Sequence, residues 1–266
     1  MQLATVNGDT LTVQFVTKAI RVETAFGSVK LPVNLIRHLT VLPAGKSEQM
    51  REGLVALWPG EGNANDIVGT NNGVVDGTLG FAPGKVGQAF LFNTINTDVR
   101  IPATTSLNVG ISNGFTLEAW SYPSNALAAN PLLEWNNGAG GLGVQFWEGP
   151  FVDGRSSLYA NLVDSGGGSR IIMSSAGVVA SEVFQHVALT YDKASGVATL
   201  YCNGVAVAQQ ELGSFTPLTI YDLYIGRRIS GKDIKTFSGL IDEPTIYNRA
   251  LSVAEIQADY AVGGGD

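Results

Sequence analysis

A dense set of oxygen-bearing side chains lies in one short stretch, "LWPGEGNANDIVGTNNG", which holds Glu61, Asn63, Asn65, Asp66, Asn71 and Asn72. Carboxylates and carbonyl oxygens are hard donors, and calcium takes about 6–8 of them. Much later in the chain, "GLIDEPTIYN" carries Asp242 and Glu243. If the strands bearing these two stretches are neighbours, Asp66, Asp242 and Glu61 are candidate ligands of a Ca2+ ion. Such an ion would also tie the two ends of a domain together and stabilise it by linkage. The same Asn and Asp residues suit Asx-turns equally well, since they tolerate left-handed backbone and hydrogen-bond it locally.

A second kind of chemistry is suggested by "LLEWNNGAGGLGVQFWEGPFVDGRSSLYANL", where aromatic residues alternate with polar turns. Sugars present C–H faces to aromatic rings and hydroxyls to Asp, Asn and Arg. Trp135, Trp147, Asp153, Arg155 and Tyr159 are therefore candidate ligand-binding residues. Strand alternation puts Phe146 and Trp147 on opposite faces, so only one of them faces a core. An aromatic patch left exposed marks an interaction site; the remaining rings fill the interior.

Catalysis finds little support. Retaining glycoside hydrolysis needs two carboxyl groups ~5–5.5 Å apart. Glu118 in "FTLEAW" and Glu134 in "LLEWNN" are isolated acids on separate strand-like segments, and the neighbours in "IDE" alternate between faces. The two histidines, His38 and His186, and the single cysteine, Cys202, form no nucleophile–base pattern. With one cysteine, an intramolecular disulfide and a cysteine-based metal cluster are both excluded. The runs "GAGGLG" and "SGGGSR" lack the strand–loop–helix setting and the lysine of a phosphate-binding loop, and read as hairpin loops. No catalytic residues are expected.

These residues must be positioned by short strands. The chain has 266 residues, 45% hydrophobic and only 15% charged, which allows one large sandwich and a small extra module. With 33 glycines and 10 prolines, it suits many short strands joined by turns. Its net charge of −7, with no basic cluster, argues against nucleic acid. No apolar run approaches the ~18–20 residues of a membrane helix, and the N-terminus does not read as a signal peptide. Alternating segments at Leu11–Phe15, Ile20–Thr24, Ser28–Leu31 and Leu39–Leu42 predict a small N-terminal β-module over 1–46, with a turn at Phe26-Gly27-Ser28. Residues 47–53 read as a polar linker. From Leu54 to the C-terminus, short strands follow one another until "LSVAEIQADY", where Ser252 and Glu255 form a capping box and Leu251, Ile256 and Tyr260 one apolar stripe.

The ending "GLIDEPTIYNRALSVAEI" resembles the close of laminin G-like jelly-roll domains in the concanavalin A-like lectin/glucanase superfamily. "PGKVGQAFLFN", "GFTLEAWSYP", "FQHVALTYD" and "ATLYCNGVAV" match further segments of that family in order, over roughly 54–262. Phe184 stands where the family usually has Trp, and Pro244 where it usually has Val, so the last strand is expected to be an edge or bulged there. The N-terminal segment resembles small SH3-like β-modules. The implied fold of 54–266 is all-β: a two-sheet antiparallel jelly-roll sandwich with a short C-terminal helix and adjacent first and last strands. The resemblance implies a non-catalytic module binding a glycan or a cell-surface protein, with calcium in many relatives, in a secreted, periplasmic or cell-surface setting. A structural or protein-interaction domain is the alternative, a glycoside hydrolase or lyase the third reading, and a cytoplasmic chain the other location.

Overall fold

The structure, a computed structural model, describes residues 52–93, 97–229 and 234–263 together with the backbone of four N-terminal strands. The chain divides into two compact units, Met1–Glu52 and Gly53–Asp266. In the first unit, β1 (Gln2–Ala4) pairs with β2 (Thr10–Thr12), and β3 (Ala19–Thr24) with β4 (Gly27–Pro32), both antiparallel. The alternating segments at 20–24 and 28–31 fall inside β3 and β4. The segment expected at 39–42, most of the linker, and hence any SH3-like closure, lie outside the described residues.

The second unit contains β5 (Leu54–Leu57), β6 (Val74–Asp76), β7 (Gly80–Pro83), β8 (Gln88–Phe92), β9 (Asp98–Ile101), β10 (Gly114–Pro123) and β11 (Asn130–Asn136). It continues with β12 (Leu142–Val152), β13 (Arg155–Val163), β14 (Ser169–Met173), β15 (Gln185–Asp192), β16 (Val197–Cys202) and β17 (Val205–Glu211). The last elements are β18 (Asp222–Ile225), β19 (Arg227–Arg228), β20 (Lys235–Thr236), β21 (Gly239–Tyr247) and one helix, α1 (Val253–Gly263). The first sheet runs β17-β16-β15-β10-β21-β8-β7, with β5 also pairing β21; the second runs β14-β13-β12-β11-β18-β9-β6. The strands in both pair antiparallel, as a jelly-roll sandwich requires. Alternation sends Phe90, Phe92, Phe115, Leu117, Trp135, Phe146 and Tyr191 into one shared core, where each is fully buried. Phe184 packs on Tyr122, ring centres 5.1 Å apart, so a phenyl ring serves at that position.

The first and last strands of the sandwich are neighbours: Leu57, Ala56 and Leu54 pair with Thr245, Ile246 and Tyr247. β21 is an interior strand, and it is bulged where Pro244 falls. Glu118 pairs with Thr245 but Trp120 with Asp242, so Ala119 alone faces Glu243 and Pro244. Glu243 takes the left-handed backbone (φ 52°) that such a bulge demands. Proline is tolerated here because the bulge interrupts the ladder that its missing N–H would otherwise break. Beyond β21, the Thr116 hydroxyl donates to the Arg249 carbonyl (2.8 Å) and accepts from the Leu251 amide (2.9 Å), fixing the turn into α1. The capping box forms, with the Ser252 amide donating to Glu255 Oε2 at 2.8 Å. Ile256 and Leu251 are buried against Ala188, Tyr201 and Tyr247, and Tyr260 packs on Trp120.

Gly226 separates β18 from β19 with φ 78°, and a Cβ there would collide with the Phe92 ring. Gly226→Ala therefore combines strained backbone with a core clash. We expect a loss of at least about 1–3 kcal/mol of stability, read as a lower urea midpoint at unchanged slope.

Candidate functional site

On the outer face of the second sheet, the residues that alternate away from the core form a connected aromatic and polar surface. Glu134 on β11 lies opposite Tyr224 on β18 and Gln145 on β12; Gln145 lies opposite Asn161, and Trp147 opposite Tyr159, both on β13. The chain after Gly226 brings Arg228 over this surface. Its Nε donates to both oxygens of Glu134 (3.0 and 3.0 Å), its Nη2 to Glu134 Oε2 (2.8 Å) and to Gln145 Oε1. The guanidinium also stacks on the Trp147 ring, 4.2 Å from its centre, and Trp147 Nε1 donates to Glu134 Oε2 at 2.9 Å. One cation thus neutralises a fully buried carboxylate and caps an indole. Burial raises the Glu134 pKa, and the Arg228 hydrogen bonds and charge pull against that rise.

Trp147 belongs to this surface but is covered by Arg228 and Phe151, leaving it 4% exposed. The rings that reach solvent are Phe151 and Tyr159, both half-buried and stacked with centres 4.7 Å apart. Gln145 Nε2 beside them has no hydrogen-bond partner. Asp153 and Arg155 are exposed at the tip of the same β12–β13 hairpin. Asp153 and Gly154 form its two-residue turn with φ values of 50° and 67°, the backbone that Asp-Gly favours there. Trp135 is corrected: it faces inward, is fully buried in the core, and cannot meet a ligand from solvent. Sequence reasoning missed Arg228, which lies 94 residues from Glu134 and carries no local signal.

The expected calcium ligands do not converge. Asp66 Oδ1 accepts from the Leu57 and Val68 amides, and Oδ2 from the Asn71 amide and side chain, at 2.9–3.2 Å. Those backbone donors hold its carboxyl below the usual range although burial opposes them. Asp66 is a loop clamp, not an open ligand, which corrects its assignment as a metal residue. Asp242, fully buried, accepts the Val86 amide at 2.8 Å on Oδ2, while Oδ1 has no partner. Burial chiefly, with help from the Glu61 charge, pushes its pKa up to about 7. Glu61 itself accepts the Gln88 amide at 3.0 Å. Among the described residues, no group of three or more His, Cys, Asp or Glu side chains is placed to hold a metal. No helix among them is long and apolar enough to cross a membrane.

Comparison with known proteins agrees with this architecture. A family model described as the concanavalin A-like lectin/glucanases superfamily matches residues 93–257. No curated protein matches the chain. Among solved structures, domain 4 of AbnA, a GH43 extracellular arabinanase from Geobacillus stearothermophilus in complex with arabinotriose, is similar with a TM-score of 0.58 and 21% identity, covering 78% of this chain and 98% of that one. The binding domain of Paraclostridial Mosquitocidal Protein 1 is similar with a TM-score of 0.62 and 20% identity over 80% of this chain. The botulinum neurotoxin serotype G binding domain gives 0.60 and 14% over 79%. This chain spans 52% and 51% of those two toxin domains.

Removing Arg228 would leave the buried Glu134 carboxyl without its cation. Arg228→Ala is expected to cost about 3–5 kcal/mol, whereas Arg228→Met with Glu134→Gln recovers most of it; paired urea denaturation curves check both.

Proposed function

The chain belongs to the concanavalin A-like lectin/glucanases superfamily, and from that premise we propose that it is a non-catalytic binding module for carbohydrate. The observation that carries this is the outer face of the second sheet. There the stacked Phe151 and Tyr159 rings lie on the same face as the fixed Arg228 guanidinium and the unpartnered Gln145 amide. The rings supply a platform for the C–H face of a sugar, and Asp153 and Arg155, exposed at the tip of the same hairpin, supply polar partners for hydroxyls. Arg228 holds that platform in place through Trp147 and Glu134. The reaction chemistry of a glycosidase finds no footing here, because Glu134 is locked in an ion pair at 2.8 Å. Arabinotriose on domain 4 of the arabinanase, a similar sandwich, favours a glycan over a protein partner. The setting that suits such a module is a secreted, periplasmic or cell-surface protein.

Glycan-array screening followed by titration with arabino-oligosaccharides tests the reading. Tyr159→Ala and Phe151→Ala are each expected to weaken binding at least about tenfold, or about 1.4 kcal/mol, with little change in melting temperature. If the folded protein bound no glycan, the reading of a protein-interaction or structural domain would replace this one.

Calcium enters the proposal only at Glu61 and Asp242, supported by the buried, unpartnered Asp242 Oδ1 and the proximity of the two acids. Millimolar calcium after EDTA treatment is expected to raise the melting temperature by linkage, and Asp242→Asn to abolish that rise. An unchanged midpoint in the unmodified chain would remove the ion from the account.

A further inference from the structure

The first sheet carries a separate pocket on its outer face, beneath α1. It encloses about 180 Å³, and its lining includes Glu118 and Trp120 from β10, His186 from β15, Tyr247 from β21 and Asp259 from α1. Such a pocket follows from the packing of α1. Ile256 and Tyr260 hold the helix on the sheet, and Gly263 approaches Trp120 so closely that a Cβ there would collide with the indole. The helix therefore roofs a small space that the sheet side chains leave unfilled.

The chemistry of the lining is lopsided. Glu118 is 4% exposed, and its Oε2 has no hydrogen-bond partner; the nearest basic atom is His186 Nε2 at 3.6 Å. His186 is 3% exposed, its Nδ1 also lacks a partner, and burial lowers its pKa to about 4, so it stays neutral and cannot offset an acid. Glu118 shares a hydrogen bond with Asp259, which also bonds Tyr247. Arg249, in the turn before α1, is engaged by Glu255 at 2.7 Å. Glu243 adds a further acid to the lining. Lys85 Nζ stands 5.5 Å from the Trp120 ring centre, so the indole already takes an ammonium on its face.

We propose that this pocket binds a small organic cation, a primary alkylammonium, with its N–H donors on Glu118 Oε2 and Asp259 and its alkyl chain against Trp120. An ammonium carries three donors and no acceptor, which matches a site rich in carboxyl oxygens with one of them open. The Trp120 ring adds attraction for a cation within about 6 Å of its centre. A neutral sugar offers no charge to these acids. In the unliganded pocket, burial first, and then the neighbouring Asp259, raises the Glu118 pKa well above the carboxylate range. Burial raises the Asp259 pKa to about 6, with Glu118 and Tyr247 hydrogen bonds and Arg249 lowering it and Glu255 raising it. The empty site thus holds protons that an arriving cation displaces. Binding must release protons, and affinity must rise with pH.

The test uses the full chain and n-butylammonium chloride as probe, followed by the Trp120 indole N–H in NMR spectra and by calorimetry in two buffers of different ionisation enthalpy. The expected result is saturable binding at about pH 8, weaker by at least about tenfold at pH 5.5, with proton release on binding. Glu118→Gln and Asp259→Asn are each expected to weaken it at least about tenfold while leaving the melting temperature unchanged or higher, since each replaces a buried acid by a neutral isostere. The proton-release measurement needs no variant and stands even if one fails to fold. No saturable shift, equal affinity at both pH values, an equal response to sodium or tetramethylammonium chloride, or full binding by folded Glu118→Gln would each overturn the proposal.

Discussion

The sandwich depends on one strand finding three partners. β21 pairs with β10 over nearly its whole length, with β8 at its N-terminal end and with β5 at its C-terminal end. These partners come from distant parts of the chain, so the first sheet is incomplete until its last strand is placed. Closing such long loops costs entropy before the hydrophobic contacts of β21 are gained. The bulge at Glu243 and Pro244 lets one strand satisfy all three neighbours. It interrupts the β10 ladder where the strand changes partner from β8 to β5, and adds the twist that the exchange requires.

Two of the buried acids, Glu134 on the second sheet and Glu118 on the first, are accommodated by opposite means. At Glu134 a guanidinium opposes the effect of burial with short hydrogen bonds and a planar fork. At Glu118 burial first, and then the neighbouring Asp259, raise the pKa, and no guanidinium opposes them. The first arrangement is rigid: the Arg228 fork holds Glu134 and Trp147 together. The second has no such clamp, and Asp259 on the helix adds a second acid beside it.

The sandwich itself was legible because its signals are local. Ser252 and Glu255 lie three residues apart, and the capping box they predict is present. Pro244 within a strand pattern predicts a bulge or an edge, and the bulge formed. The sites were less legible because their signals are not local. Alternation separates Glu134 from Trp135 but does not say which faces inward; the indole went to the core and the acid outward. Asp66 sits in a loop whose composition fits an ion or an Asx-turn, and the choice was made by amide donors that no residue type reveals. Arg228 and Asp259 reach their partners only through the fold, from the far side of β18 and from the terminal helix.

The adjacency of β5 and β21 also fixes how the sandwich bears load. Leu54 pairs with Tyr247, and just outside that pair the Asn248 amide donates to the Gly53 carbonyl at 2.8 Å. A pull applied through Gly53 and through the turn after Tyr247 therefore meets both strands at the same end of their ladder. The hydrogen bonds open in succession, as in a zipper, and each resists alone. A module tethered to a surface in that way yields at low force, beginning with its first strand, while the interlocked face of the second sheet stays closed.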